Sequence, residues 1–159
     1  MADNSNLSVL IVDPNQVYRL NFSYGSNQHT AEVDLQVTHA DAEYLGISTS
    51  PVAGNKTGDP LQQSPVIVVY DFDGNRTTAL TGVTISASVV VGSGYIESAG
   101  LASVTAGIAD FQNLTLVALP GENQQLRFTL LGAVNSASAA VISPNSQNLV
   151  LTFADPARL

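Results

Sequence analysis

Cysteine and tryptophan are absent from this chain, and charge is scarce. Without cysteine there are no disulfides, no thiolate metal sites and no cysteine nucleophiles. Charged residues make up only 11% of the 159 residues, against about a quarter in ordinary soluble domains. The polar surface must therefore be built from Ser, Thr, Asn, Gln and Gly. That composition is common in β-rich proteins of virions and cell exteriors. Basic residues are fewest of all: Arg19, Lys56, Arg76, Arg127 and Arg158, spread singly along the chain. No basic patch forms, so a phosphate backbone has nothing to bind and no nucleic-acid partner is expected. The formal net charge of -8 favours solubility and repels anionic membranes. Long apolar runs are missing too, since Val9 to Val12 is far too short for a membrane span. The opening Met-Ala-Asp-Asn-Ser-Asn-Leu lacks the basic and apolar regions of a secretory signal. If Met1 is the native start, the expectation is a protein made and kept in a cytoplasm or released by lysis. If Met1 is a scar, a signal has been trimmed.

No stretch sustains a 3.6-residue apolar period, whereas period two recurs. From His29 to His39, Ala31, Val33, Leu35 and Val37 point one way, and Thr30, Glu32, Asp34, Gln36 and Thr38 point the other. Before this strand, Tyr18, Leu20, Phe22 and Tyr24 alternate with Val17, Arg19, Asn21 and Ser23, and Gly25-Ser26-Asn27 forms the turn. With Leu7 to Val12 as a third strand, the first 39 residues read as a β-meander. Residues 40–64, rich in Pro, Gly, Ser and Thr, read as a linker or long loop held extended by Pro51, Pro60 and Pro65.

From Pro65 onward short strands recur between glycines. They are expected at Val66 to Tyr70, Val83 to Val91, Tyr95 to Glu97, Leu101 to Thr105, Ile108 to Val117, Gln124 to Leu131, Ser138 to Ile142 and Leu149 to Phe153. Regular short strands of this kind predict an all-β fold of sandwich type.

Four segments carry a resemblance: "SPVIVVYDFDGN", "GVTISASVVVGSGYI", "TAGIADFQNLTL" and "LRFTLLG". In their order and spacing they resemble the bacterial immunoglobulin-like domains of invasin-type adhesins, surface layers and phage virions. The resemblance runs from Pro65 to about Gly132. It implies an immunoglobulin-like β-sandwich with Ala109, Phe111 and Leu114 packing inward. The chain departs from the family after Leu119, where Phe128 stands in place of a tyrosine; the register of that strand is left open.

Few residues look like chemistry. Asp71-Phe72-Asp73-Gly74-Asn75 has the acidic spacing of a calcium loop. With Asp71 at position 1, however, Gly82 falls where a bidentate Glu is needed, and no helices flank it. A tight turn at Asp73-Gly74-Asn75 fits better, with calcium at Asp71, Asp73 and Asn75 as the minority reading. His29 and His39 stand roughly 33 Å apart along one strand, too far to share a metal. Asp41 and Glu43 flank Ala42 as a carboxylate pair, without the tryptophan platforms that glycosidase clefts favour. Residues 92–94, Gly-Ser-Gly, are too short to cradle phosphate. Five Asn-x-Ser/Thr sequons occur, at Asn6, Asn21, Asn55, Asn75 and Asn113, and no signal supports glycosylation. Tyr18, Phe22 and Tyr24 share one strand face. Core packing is the first reading for them and a protein-protein face the second.

The expectation is an all-β protein: a small N-terminal meander arm with its linker over residues 1–60, and an immunoglobulin-like sandwich over 61–159. No catalytic residue, cofactor or resident metal is expected. The expected function is a non-enzymatic structural protein of a surface assembly, in the first instance a phage capsid decoration or cement protein on the virion surface. It would contact a shell or neighbouring subunit through Tyr18, Phe22 and Tyr24 and act as a homo-oligomer within the assembly. The alternative is an adhesion module of a secreted bacterial surface protein, at the extracellular cell surface.

Overall fold

The computed structural model describes residues 16–24, 29–36, 40–54, 56–132 and 149–150, and every regular element among them is a β-strand. The described residues contain no helix. The strands are β1 (Val17–Tyr24), β2 (His29–Gln36), β3 (Ala42–Thr49), β4 (Val66–Asp71), β5 (Thr84–Val91), β6 (Tyr95–Ser98), β7 (Leu101–Ser103), β8 (Ile108–Asp110), β9 (Thr115–Val117), β10 (Asn123–Leu131) and β11 (Leu149–Val150). They form four sheets: β1-β2, β11-β10-β5-β7, β3-β4-β8 and β6-β9. The chain divides into two compact units, Met1–His39 and Ala40–Leu159.

In the first unit, β1 and β2 pair antiparallel from Val17↔Gln36 to Tyr24↔His29. The period-two alternation specifies this register, because a one-residue slip would carry every apolar side chain to the wrong face. The expected strand at residues 7–12 lies outside the described residues, as do Thr38 and His39.

The second unit begins earlier than composition suggests. Residues 40–60, read as linker, supply β3, which pairs with β4 from Ala42↔Asp71 to Thr49↔Val66. The division therefore falls at residue 40 and not at 61. Register shifts between Ala42 and Tyr44 and between Ile47 and Thr49 explain why β3 was illegible. Each irregularity breaks the inward-outward alternation, so Ala42 and Leu45, three apart, are both buried. Residues 52 and 63 then form an isolated bridge, tying the loop to itself. The expected strand at 108–117 is in fact two, β8 and β9, separated by a turn at Asn113, whose φ is 59°. The expected strand at 138–142 lies outside the described residues.

One hydrophobic cluster serves the second unit. Ile67 and Val69 of β4, Ile85 of β5, Ala102 of β7, Ala109 of β8, Leu116 of β9, and Leu126 and Phe128 of β10 are all buried in it. Phe111 and Leu114, from the turn between β8 and β9, complete its centre. Phe111 and Phe128 meet with ring centroids 5.3 Å apart at 58°, a tilted arrangement favoured by the ring quadrupoles. Along β10, residues 124, 126 and 128 are all fully buried, as period two requires. The register against β5 shifts between Gln125 and Leu126, which pair with Val91 and Val89. Val90 is the extra residue there.

Candidate functional site

The β1-β2 hairpin has two chemically different faces. Directly opposed residues share a face. Tyr18 is opposite Leu35, Leu20 opposite Val33, and Phe22 opposite Ala31. Among the described side chains that face carries no charged residue. The other face pairs Arg19 with Asp34 and Asn21 with Glu32. Arg19 Nε donates to Asp34 Oδ1 at 2.9 Å, and Arg19 Nη1 lies 3.6 Å from Glu32 Oε2. These exposed ion pairs add little stability; they keep the charges together on one side. On the apolar face, Phe22 is 43% exposed and Val33 is 52% exposed, while Tyr18, Leu20 and Leu35 are partly buried. Of the expected interface trio, Tyr18 and Phe22 thus share this face. Tyr24 is placed in β1 opposite His29, and its side chain lies outside the described residues.

The acidic run at 71–75 is a braced turn. Asp71 is buried at the end of β4. Its Oδ1 accepts from the Asn75 N–H at 2.8 Å, and its Oδ2 accepts from the Ala40 N–H at 3.1 Å and from Asn75 Nδ2 at 3.4 Å. The backbone closes the same turn: Gly74 N–H donates to the Asp71 carbonyl, and Asp71 N–H donates to the Asn75 carbonyl. Gly74 has a φ of 83°, a conformation that favours glycine. Burial by itself pushes the Asp71 carboxyl up. Hydrogen bonds from the backbone of Asn75 and Ala40, the Asn75 side chain and the Asp73 backbone outweigh it and hold the group below its ordinary value.

That arrangement bears on the calcium reading. A cation needs carboxylate lone pairs, and those of Asp71 already face N–H donors. Asp73 is exposed, and the Asn75 amide is turned with its nitrogen towards Asp71. No group of three or more Asp, Glu or His among the described residues gathers as a metal site would require. Addition of calcium at millimolar concentration is expected to leave the thermal midpoint of the full chain unchanged. A calcium-dependent rise that Asp73→Ala abolishes would restore the metal reading.

His29 begins β2, and His39 lies outside the described residues. Asp41 is exposed just before β3, and Glu43 sits at the irregular start of β3 between Ala42 and Tyr44. Residues 92–94 form a turn, and its purpose was not legible. Gln124 is fully buried beneath it. Gln124 Oε1 accepts from the Gly94 N–H at 3.0 Å, and Nε2 donates to Glu122 Oε2 at 3.1 Å. Ser93 Oγ donates to the same Glu122 oxygen at 2.6 Å. Those bonds, led by that from Ser93, hold Glu122 below the usual carboxylate range. A Cβ on Gly92 would stand 2.2 Å from Gln124 Oε1, so only glycine allows this close approach. The group gives both polar atoms of one buried amide a partner. The signal for it was the glycine pair around Ser93 together with the parity of Gln124 with Leu126 and Phe128.

Sequence reading also missed Phe72. It is 80% exposed at the tip of the Asp71 turn. On β3 and β4, Tyr44 and Tyr70 are paired and stack with centroids 5.2 Å apart. Gly46 makes room for the Tyr70 ring, because a Cβ there would meet Tyr70 Cε2 at 2.7 Å.

No protein-family model matches the chain, and no curated protein matches it closely enough to count as a relative.

Proposed function

We propose that the protein is a non-enzymatic structural subunit of a surface assembly, a phage virion protein that decorates or cements a capsid. The observation that carries this reading is the β1-β2 hairpin. An isolated two-stranded sheet is marginally stable in water. Among the described residues β1 pairs with β2 alone, and the hairpin exposes Phe22 and Val33, which favours burial against another protein surface. On this reading Met1–His39 is an attachment arm. Ala40–Leu159 is an immunoglobulin-like sandwich in which β3-β4-β8 and β11-β10-β5-β7 are the two layers and the shared core lies between them. The low-charge, acidic composition fits the surface of a virion. It gives no hold on nucleic acid or anionic lipid.

The alternative, an adhesion module at a bacterial cell surface, draws on the resemblance of residues 65–132 to bacterial immunoglobulin-like domains. Particles stripped of the endogenous protein distinguish the two. The full chain is expected to rebind them in saturable fashion, and a chain lacking residues 1–38 is expected to lose binding while its own unfolding transition persists. Normal rebinding by the shortened chain would sink the arm as the anchor.

A further inference from the structure

We infer that the bond between Asp73 and Gly74 is where this chain ages chemically, by isomerisation of Asp73 to a β-linked isoaspartate, and that Asp71 is the latch that holds the reaction back. Neither part depends on what the chain assembles with. The first observation is in the sequence: of the 12 glycines, Gly74 alone follows an aspartate or asparagine. A side chain on the following residue hinders the approach of its nitrogen to the aspartyl carboxyl, and glycine has none. Asp73 and Gly74 are both exposed, so water reaches them. The second observation is the turn. The Gly74 N–H, whose nitrogen must attack, donates instead to the Asp71 carbonyl at 3.1 Å. The next residue is tied down as well: Asn75 N–H donates to Asp71 Oδ1 at 2.8 Å, and Asp71 N–H donates to the Asn75 carbonyl at 2.9 Å. The Asp71 carboxylate also accepts from the backbone of Asp73. The Gly74 nitrogen is thus committed to residue 71 and attacks only when the turn opens.

On opening, the Gly74 nitrogen bonds to Cγ of Asp73. The amide proton and the carboxyl hydroxyl leave together as water, and a succinimide ring closes. Water then adds back to the ring. Breaking the bond from nitrogen to Cγ restores aspartate. Breaking the bond from nitrogen to the main-chain carbonyl leaves the chain running through the side chain, as isoaspartate. Nothing is oxidised or reduced, water is the one co-reactant, and the mass is unchanged. The product carries an extra methylene in the main chain between residues 73 and 74. The bonds from Asp71 to Gly74 and Asn75 then no longer close together, and the bridge between Tyr70 and Arg76 loses the turn that joins its two sides.

The test incubates the full chain near neutral pH in water enriched in heavy oxygen and then maps it by proteolysis and mass spectrometry. Chromatography separates the isoaspartyl form of the peptide spanning Asp73 and Gly74, and uptake of a heavy oxygen marks each succinimide that formed and reopened. The folded wild type is expected to isomerise at Asp73 at least about tenfold more slowly than the same chain in urea, because the open turn is the reactive form. Asp71→Ala is expected to remove most of that protection. Since Asp71→Ala also weakens the fold, Phe128→Leu is measured beside it. Phe128→Leu lowers the stability of the whole unit without touching the turn, and it is expected to keep the slow rate. Asp73→Glu is expected to abolish labelling at this position, because the ring it would have to close is larger. Equal rates for the folded and urea-unfolded wild type would overturn the latch. So would a Phe128→Leu chain that reacts as fast as Asp71→Ala, since the reaction would then belong to the unfolded chain. Isoaspartate that accumulates first at another residue would overturn the site.

Discussion

Phe128→Ala is expected to destabilise the Ala40–Leu159 unit by about 3–5 kcal/mol. Phe128 is fully buried, at the middle of β10, opposite Ala87 of β5. Its ring meets that of Phe111, which is also fully buried. Removing it forfeits the apolar transfer energy and opens a cavity that β-sheet backbone on either side cannot collapse to fill. The thermal midpoint is expected to fall by about 10–15 °C. Phe128→Leu retains most of the volume and is expected to cost less than half as much. Urea unfolding of the two variants beside Phe111→Ala checks the account. A Phe111→Ala, Phe128→Ala double variant is expected to lose less than the sum of the singles, because the two rings share one contact. A loss under about 1 kcal/mol for Phe128→Ala would mean the ring is not in the core.

Asp71→Ala comes second, with an expected loss of about 2–4 kcal/mol, and its origin is different. No large cavity is created. The N–H groups of Ala40, an exposed residue, and Asn75, a half-buried one, lose a charged acceptor, and a hydrogen bond to a charged group contributes about 1.5–3 kcal/mol. Asp71→Asn keeps one acceptor oxygen but sets an NH₂ against the remaining donors, so an intermediate loss is expected. The charge also sets a pH dependence. The folded-state carboxyl is held below its ordinary value, so the unfolded chain takes up the proton first as pH falls. The stabilisation is complete above the ordinary carboxylate range and is lost as pH drops through the folded-state value. Glu122, also held low, acts in the same direction. Urea midpoints measured from about pH 6 to pH 3 are expected to fall more steeply for the wild type than for Asp71→Asn. Parallel curves would show that Asp71 is not the group responsible.

These two residues illustrate what could and could not be seen in the sequence. Phe128 sits in a period-two run, and so does Ile85; where alternation is unbroken, strand and buried face follow from polarity alone. The hairpin faces were legible for the same reason, including the placement of Tyr18 and Phe22 together. β3 was not legible. Its irregular pairing hides the period, and the prolines and glycines that follow it resemble a linker. In the sequence Asp71 stands out for a metal-like spacing. The use of its carboxylate as a brace depends on Ala40, 31 residues earlier in the chain, and no local pattern reports a contact of that range. Gln124 was hidden by its residue type, since a glutamine is ordinarily read as surface. Only the packing of residues 92–94 over it supplies the reason for its burial.

The proposal that this chain is a stoichiometric structural subunit is tested most directly by counting. Quantitative mass spectrometry of the purified particle or surface fraction that contains the chain is expected to find it at a fixed ratio to one abundant shell protein, unchanged across gradient fractions. Recovery only as part of a long secreted polypeptide, with no shell protein in constant proportion, would contradict the claim and leave the adhesion module standing.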